Sequence, residues 1–89
     1  MQLPAVNPDV AYQRVGDEVV LVHLKTNQIY ALNETGARFW ELLAEGRAHA
    51  EIVATLTGEF AVDEARLDGE IGALLGDLAA AGMVIPAAA

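Results

Sequence analysis

The feature that most constrains this 89-residue sequence is a short apolar strand that runs directly into a helix. Residues 30–43 read YALNETGARFWELL, and Asn33 is a suitable N-cap between the two elements. Glu34 favours the positive end of the helix dipole. Phe39 and Trp40 begin an apolar stripe at the helical period, which predicts a buried helix face. Because no loop separates strand and helix, the two elements must be neighbours in the fold.

Two further strands are predicted before this junction. Residues 11–15 form a weak strand, and residues 18–24 form the strongest one. The latter is apolar on both faces, as expected for the centre of a small sheet. Residues 28–32 form the third strand, after a turn in which Asn27 can adopt the left-handed conformation. This meander leaves the third strand at an edge unless the first strand inserts beside it.

Two more helices are predicted after the junction. One covers about residues 49–57 and is stopped by Gly58, and the other is capped by Asp63 and ends before Gly82. Strands followed by helices in so short a chain predict an α+β fold. We expect a winged helix-turn-helix-like arrangement, with a three-stranded antiparallel sheet followed by three helices.

The expected organisation is a single domain over residues 10–85. Residues 1–9 contain two prolines and no periodicity, which predicts a flexible N-terminal tail. Residues 86–89 are predicted as a C-terminal tail. The start of the chain lacks the features of a signal peptide, and no apolar stretch is long enough to span a bilayer. With no cysteines in the sequence, a cytoplasmic protein without membrane contact is expected.

The charge is unevenly distributed. The chain has a net charge of −8. Residues 34–89 hold ten acids against Arg38, Arg47 and Arg66, which is −7 of that total. Phosphate backbones are polyanions, so this half should repel nucleic acid. An acidic surface would attract a basic peptide, although it also serves solubility alone.

Residues that would carry catalysis are scarce. The sequence has neither Ser nor Cys, which removes the usual nucleophiles. His23 and His49 lie on different predicted elements, and no metal-ligand spacing surrounds them. The glycines of the third helix match no phosphate-binding motif. We therefore expect a protein that is not an enzyme, with no metal and no cofactor.

One motif resembles that of a known family. Leu32 and Asn33, followed by Thr35, Gly36 and Trp40, are similar to the PqqD-like peptide-recognition proteins, also called RiPP recognition elements. The resemblance extends over about residues 10–85. The chain departs from it at residue 48, an Ala where such proteins often place Thr or Ser as the cap of the second helix.

The resemblance implies a function. Its members bind the leader region of a ribosomally made precursor peptide, which adds as a strand beside the third strand, in the groove with the third helix. A separate processing or modifying enzyme, such as a lasso-peptide leader protease or a radical enzyme, would receive the peptide. The peptide-binding residues expected on this basis are Gln28, Ile29, Tyr30, Ala31, Leu32, Asp68, Ile71, Leu75 and Leu78.

Other interpretations remain open. A winged-helix DNA-binding protein would need a basic recognition helix, whereas the third helix has only Arg66. A self-associating module could use the exposed third strand or the small residues of the third helix, which are Gly69, Gly72, Ala73, Gly76 and Ala80. We expect a monomer in solution, with a strand- or helix-swapped dimer as the alternative.

Overall fold

The computed structural model describes residues 3–87, which form five strands and three helices. In chain order these are β1 (Ala5–Val6), β2 (Val10–Val15), β3 (Glu18–His23), β4 (Ile29–Leu32), α1 (Glu34–Ala44), α2 (His49–Phe60), α3 (Glu64–Ala80) and β5 (Val84–Ile85). Strands β2, β3 and β4 form an antiparallel sheet in that order, and three helices follow. The predicted α+β fold is confirmed.

The central position of β3 is also confirmed. Leu21 pairs with Tyr12 of β2 on one side and with Tyr30 of β4 on the other. Val19, Leu21 and His23 are buried under the helices, while the alternate residues of β3 are partly exposed on the outer face. The strand that was predicted first, which is β2 in the structure, does not insert beside β4. Strand β4 is therefore an edge strand of this sheet.

The strand-to-helix junction forms as the sequence indicates. The side-chain Oδ1 of Asn33 accepts a hydrogen bond from the backbone N–H of Gly36 at 2.9 Å, which caps α1. Phe39 and Trp40 are buried in the core, as predicted. Tyr12 packs edge-on against Trp40, with the ring centroids 5.7 Å apart. Helix α1 is therefore fixed against the sheet from its first turn.

Helix α2 is longer than the sequence indicated. It continues through Gly58 to Phe60 and ends at Ala61, whose φ of 51° is left-handed. Gly58 lies on an exposed surface, where a glycine lowers helix stability without ending the helix. At the start of α2, Ala48 has no capping side chain, but Glu51 Oε1 accepts from the Ala48 N–H at 3.3 Å.

The N-terminal segment differs from the predicted flexible tail. Ala5 and Val6 of β1 pair with β5 in a small antiparallel sheet. Asn7 extends this contact, because its N–H donates to Met83 O at 3.0 Å and its side-chain amide donates to Gly82 O at 2.8 Å. No periodic pattern in these residues indicated this pairing between distant segments. Residues 1, 2, 88 and 89 lie outside the described part of the chain.

Helix α3 packs on the core through Leu67, Ile71 and Leu78. Asp63 occupies the N-cap position as predicted, but its side chain makes no capping hydrogen bond. At the other end, Gly82 has a φ of +74°, and a Cβ there would lie 3.4 Å from the His23 ring. None of the helices within residues 3–87 is long and apolar enough to cross a membrane.

Candidate functional site

A groove of about 450 Å³ lies between β4 and α3, and is called here the β4–α3 groove. Its floor is formed by buried apolar side chains, which are Leu32, Phe39, Leu56, Leu67 and Ile71. Of these, Phe39 belongs to the apolar stripe that the sequence pattern assigned to the buried face of the first helix, and Leu32 and Ile71 were predicted as peptide-binding residues. The groove exists because α3 packs against α2 and leaves a space beside β4.

The walls of the groove differ in character. One wall is β4, with Tyr30 and Ala31. The opposite wall is one flank of α3, formed by Glu70, Ala73, Leu74 and Asp77. These four residues recur at the i, i+3, i+4, i+7 spacing that places side chains on one helix face. The first turn of α1, with Asn33, Thr35 and Gly36, also contributes.

The outer edge of β4 carries unpaired main-chain groups. The His23 N–H donates to Gln28 O at 2.9 Å, and the Leu24 N–H donates to Asp9 O at 2.8 Å. In an antiparallel sheet the residues of a central strand bond alternately to its two neighbours. Odd-numbered residues of β3 therefore bond to β4, and even-numbered residues bond to β2.

The same alternation shows which main-chain N–H and C=O groups of β4 face β3 and which face away from the sheet. Gln28, Tyr30 and Leu32 lie opposite His23, Leu21 and Val19, and their main chain faces β3. The N–H and C=O of Ile29 and Ala31 consequently face away from the sheet. Among residues 3–87, no strand pairs with this edge.

Side chains on β4 alternate between two environments. Tyr30 and Leu32 share the face of Leu21 and Val19, which is directed towards the helices. Ile29 and Ala31 lie on the outer face of the sheet, where Ile29 is 67% exposed. The aromatic ring of Tyr30 is therefore on the groove side of the edge, and Ile29 is on the opposite side.

The structure brings part of the predicted site together. Tyr30, Ala31, Leu32 and Ile71 line the groove, and Ile29 supplies main-chain groups at its edge. Gln28 precedes β4, and its carbonyl accepts from β3.

The other predicted positions on α3 lie elsewhere. Leu78 is fully buried in the core. Leu75 and Asp68 are seven residues apart, which places them on the same flank of α3, and this flank faces away from the groove. Asp68 Oδ1 lies 3.6 Å from His49 Nε2 at the start of α2. The apolar period of α3 identified its buried side but not which of its two polar flanks faces β4.

The sequence analysis named Ala73 only as part of a possible self-association surface, and it assigned no peptide-binding role to Leu74, Thr35 or Gly36. All four residues line the groove. The i, i+3, i+4, i+7 spacing of the α3 residues was a usable signal. It became informative only once the position of α3 relative to β4 was known.

Charges on the groove wall are also uneven. Glu70 Oε1 accepts from Arg66 Nε at 3.3 Å, an exposed contact along the helix. Asp77 has no ion pair among residues 3–87. No group of three His, Asp or Glu residues within that range could hold a metal ion. The site therefore offers main-chain hydrogen bonds, an apolar floor and negative charge.

The fold and the open edge define a small winged-helix-like α+β domain that presents an unpaired strand beside an apolar groove. The chain belongs to the PqqD family, because residues 18–84 match the family described as Coenzyme PQQ synthesis protein D (PqqD). The search of curated proteins found no significant match.

Two solved structures are similar to this chain. One is described as TbiB1 in complex with the TbiA(beta) leader peptide, with 32% identity and a TM-score of 0.86 over 96% of this chain and 99% of that one. The other is a lasso peptide synthetase B1 complexed with the leader peptide, with 26% identity and a TM-score of 0.81 over 91% of this chain and 95% of that one.

Proposed function

We propose that this chain is a non-catalytic protein that binds the leader region of a ribosomally synthesised precursor peptide. The observation that carries the proposal is the unpaired outer edge of β4 beside the β4–α3 groove. The two similar structures, which contain leader peptides, support the same function for this chain.

Binding would occur by β-strand addition to β4. The N–H and C=O groups of Ile29 and Ala31 lie two residues apart, about 6.6 Å along the strand, which matches the repeat of an added strand. Main-chain hydrogen bonds then provide affinity with little demand on peptide sequence. Alternate side chains of the peptide enter the groove over Phe39 and Ile71, and these contacts provide selectivity.

The bound leader would be presented to a separate enzyme. A lasso-peptide leader protease is our first proposal for that partner, because both similar structures contain leader peptides and one is described as a lasso peptide synthetase B1. A radical peptide-modifying enzyme is the alternative. In either case the enzyme supplies the chemistry and this chain holds the substrate.

The test uses the main chain of β4. Peptides that bind the protein are first selected from a displayed library of random sequences. Ala31→Pro should weaken their binding by at least about tenfold, since it removes an outward-facing N–H and adds a ring at the contact edge. The sheet should persist, because that N–H makes no bond to β3. Fluorescence anisotropy measures the affinity, and circular dichroism checks the fold.

Two controls make this test specific. Ala31→Val keeps the N–H and should retain binding. Arg14→Pro removes an outward-facing N–H at the opposite edge of the sheet, on β2, and should leave affinity unchanged when the protein is folded. Strand addition at β4 would be refuted if folded Ala31→Pro bound the selected peptides as well as the unmodified protein does, or if no binding peptides were recovered.

We also propose that the protein is a monomer before it binds peptide. Sedimentation velocity at two concentrations tests this. A concentration-dependent dimer that Ala31→Pro abolishes would instead support self-association through the β4 edge. The acidic α3, with Arg66 as its one cation, gives no support to nucleic-acid binding.

A further inference from the structure

We propose that Asp77 makes this protein select leader segments that carry a Lys or Arg side chain above the β4–α3 groove. The inference rests on the proposed function and adds the chemistry of the preferred peptide. It starts from the α3 wall of the groove, where Glu70 and Asp77 are the charged residues.

The two carboxylates differ in whether they are already neutralised. Glu70 contacts Arg66 within the same helix. The other four Lys and Arg residues of the sequence are engaged with different acids, in the pairs Arg14–Glu41, Lys25–Asp9, Arg38–Glu59 and Arg47–Glu51. No Lys or Arg among residues 3–87 therefore pairs with Asp77, so its exposed carboxylate can pair with a cationic side chain of a bound peptide.

Asp77 is also at a position that is unfavourable for helix stability. It lies near the end of α3, and the last turn contains no basic residue to balance it. The C-terminal end of a helix carries a partial negative charge, so an acid there is repelled rather than stabilised. Asp63 and Glu64, by contrast, lie at the favourable N-terminal end of the same helix. The unfavourable position of Asp77 therefore supports a role in binding rather than in helix stability.

The surface beside Asp77 suits a long basic side chain. Ala73 and Leu74 precede it on the same flank by four and three residues. The small side chain of Ala73 leaves space along the wall, and Leu74 offers an apolar contact. Lys and Arg place their aliphatic stems on such surfaces while the charged group remains near water. A strand added to β4 would direct alternate side chains into the groove, which would bring a basic group towards Asp77.

The experiment repeats the library selection on the unmodified protein and on Asp77→Asn. Peptides selected on the unmodified protein should share a Lys or Arg at one position, and this preference should be absent from those selected on Asp77→Asn. The peptides from the first selection should bind Asp77→Asn about three- to tenfold more weakly at low salt, with a smaller difference at high salt.

Asp68→Asn is the matched control. It makes the same charge change on the same helix, but on the flank away from the groove, so affinity should change less than about twofold. A structural role for Asp77 is tested by thermal unfolding, because removing its charge from the helix end should leave the melting temperature unchanged or slightly raised.

Two results would overturn the inference: selected peptides without a shared basic position, or equal weakening by Asp77→Asn and Asp68→Asn. Either could occur with binding that still depends on Ala31, and the proposed function would then stand without this selectivity. If Ala31→Pro had no effect on the same peptides, strand addition itself would be wrong.

Discussion

The two edges of the main sheet differ in what lies beneath them. Both β2 and β4 have main-chain groups that no strand within residues 3–87 pairs with. Under β2, the space is filled by Tyr12 packed on Trp40 and by a two-pronged contact of Arg14 with Glu41, at 2.7 and 2.9 Å. Under β4, the helices leave the groove open. An unpaired edge becomes a candidate binding site only where there is room for the side chains of the added strand.

The largest expected effect concerns the packing that closes the β2 side. Trp40→Ala removes a fully buried side chain and should destabilise the protein by about 3–5 kcal/mol. Tyr12→Ala removes its half-exposed partner and should cost only about 1 kcal/mol. Urea unfolding followed by circular dichroism measures both values. Equal costs would show that the buried indole is not the main support of this edge.

A smaller effect, of opposite sign, tests whether binding is confined to the groove flank of α3. Gly72 lies on the exposed flank, with no atom near the position of an added Cβ. Gly72→Ala should therefore stabilise the protein by about 0.5–1 kcal/mol. Affinity for selected peptides should not change. Weaker binding by this folded variant would indicate that the peptide or another surface approaches the glycines of α3.

The smallest effect concerns the pH dependence of the contact between Arg14 and Glu41 beneath β2. The hydrogen bond from Arg14 lowers the pKa of Glu41 below its ordinary value of 4.5. A carboxyl with a lowered folded-state pKa stabilises the fold above its unfolded pKa, and this contribution is lost as the pH falls through the folded pKa. Because both side chains are partly exposed, the contribution should be about 1 kcal/mol or less.

Glu41→Gln isolates that contribution. The variant should be slightly less stable than the unmodified protein at neutral pH, and the difference should shrink below pH 4.5. Chemical unfolding at several pH values measures it. A difference that grows in acid would contradict the assignment of the lowered pKa to the Arg14 contact.

Sequence patterns predicted the local elements of this fold more successfully than its long-range contacts. The Asn33 cap and the left-handed Asn27, with φ of 60°, depend on neighbouring residues and were confirmed. The end of α2 was missed because exposed Gly58 is only a weak helix breaker. The β1–β5 pair was missed because two-residue strands have no measurable periodicity, and their pairing depends on the rest of the fold.

The site shows the same division. The family motif and the edge position of residues 28–32 pointed to one wall of the groove. The opposite wall depends on the rotation of α3 about its own axis, which places Asp77 on the groove side and Asp68 beside His49. The two acids are equivalent in the sequence pattern of α3, because both lie outside its apolar stripe. Only the packing of α3 in the structure shows which of them faces the groove.

The pairing of Ala5 with Ile85 has a practical consequence. It brings the two ends of the folded region together at the C-terminal end of α1, where β1 packs near Leu43 and Ala44. The β4–α3 groove lies at the opposite end of that helix, next to Gly36. A circularly permuted chain, or a second domain fused at either end, should therefore leave the open edge of β4 accessible to a peptide.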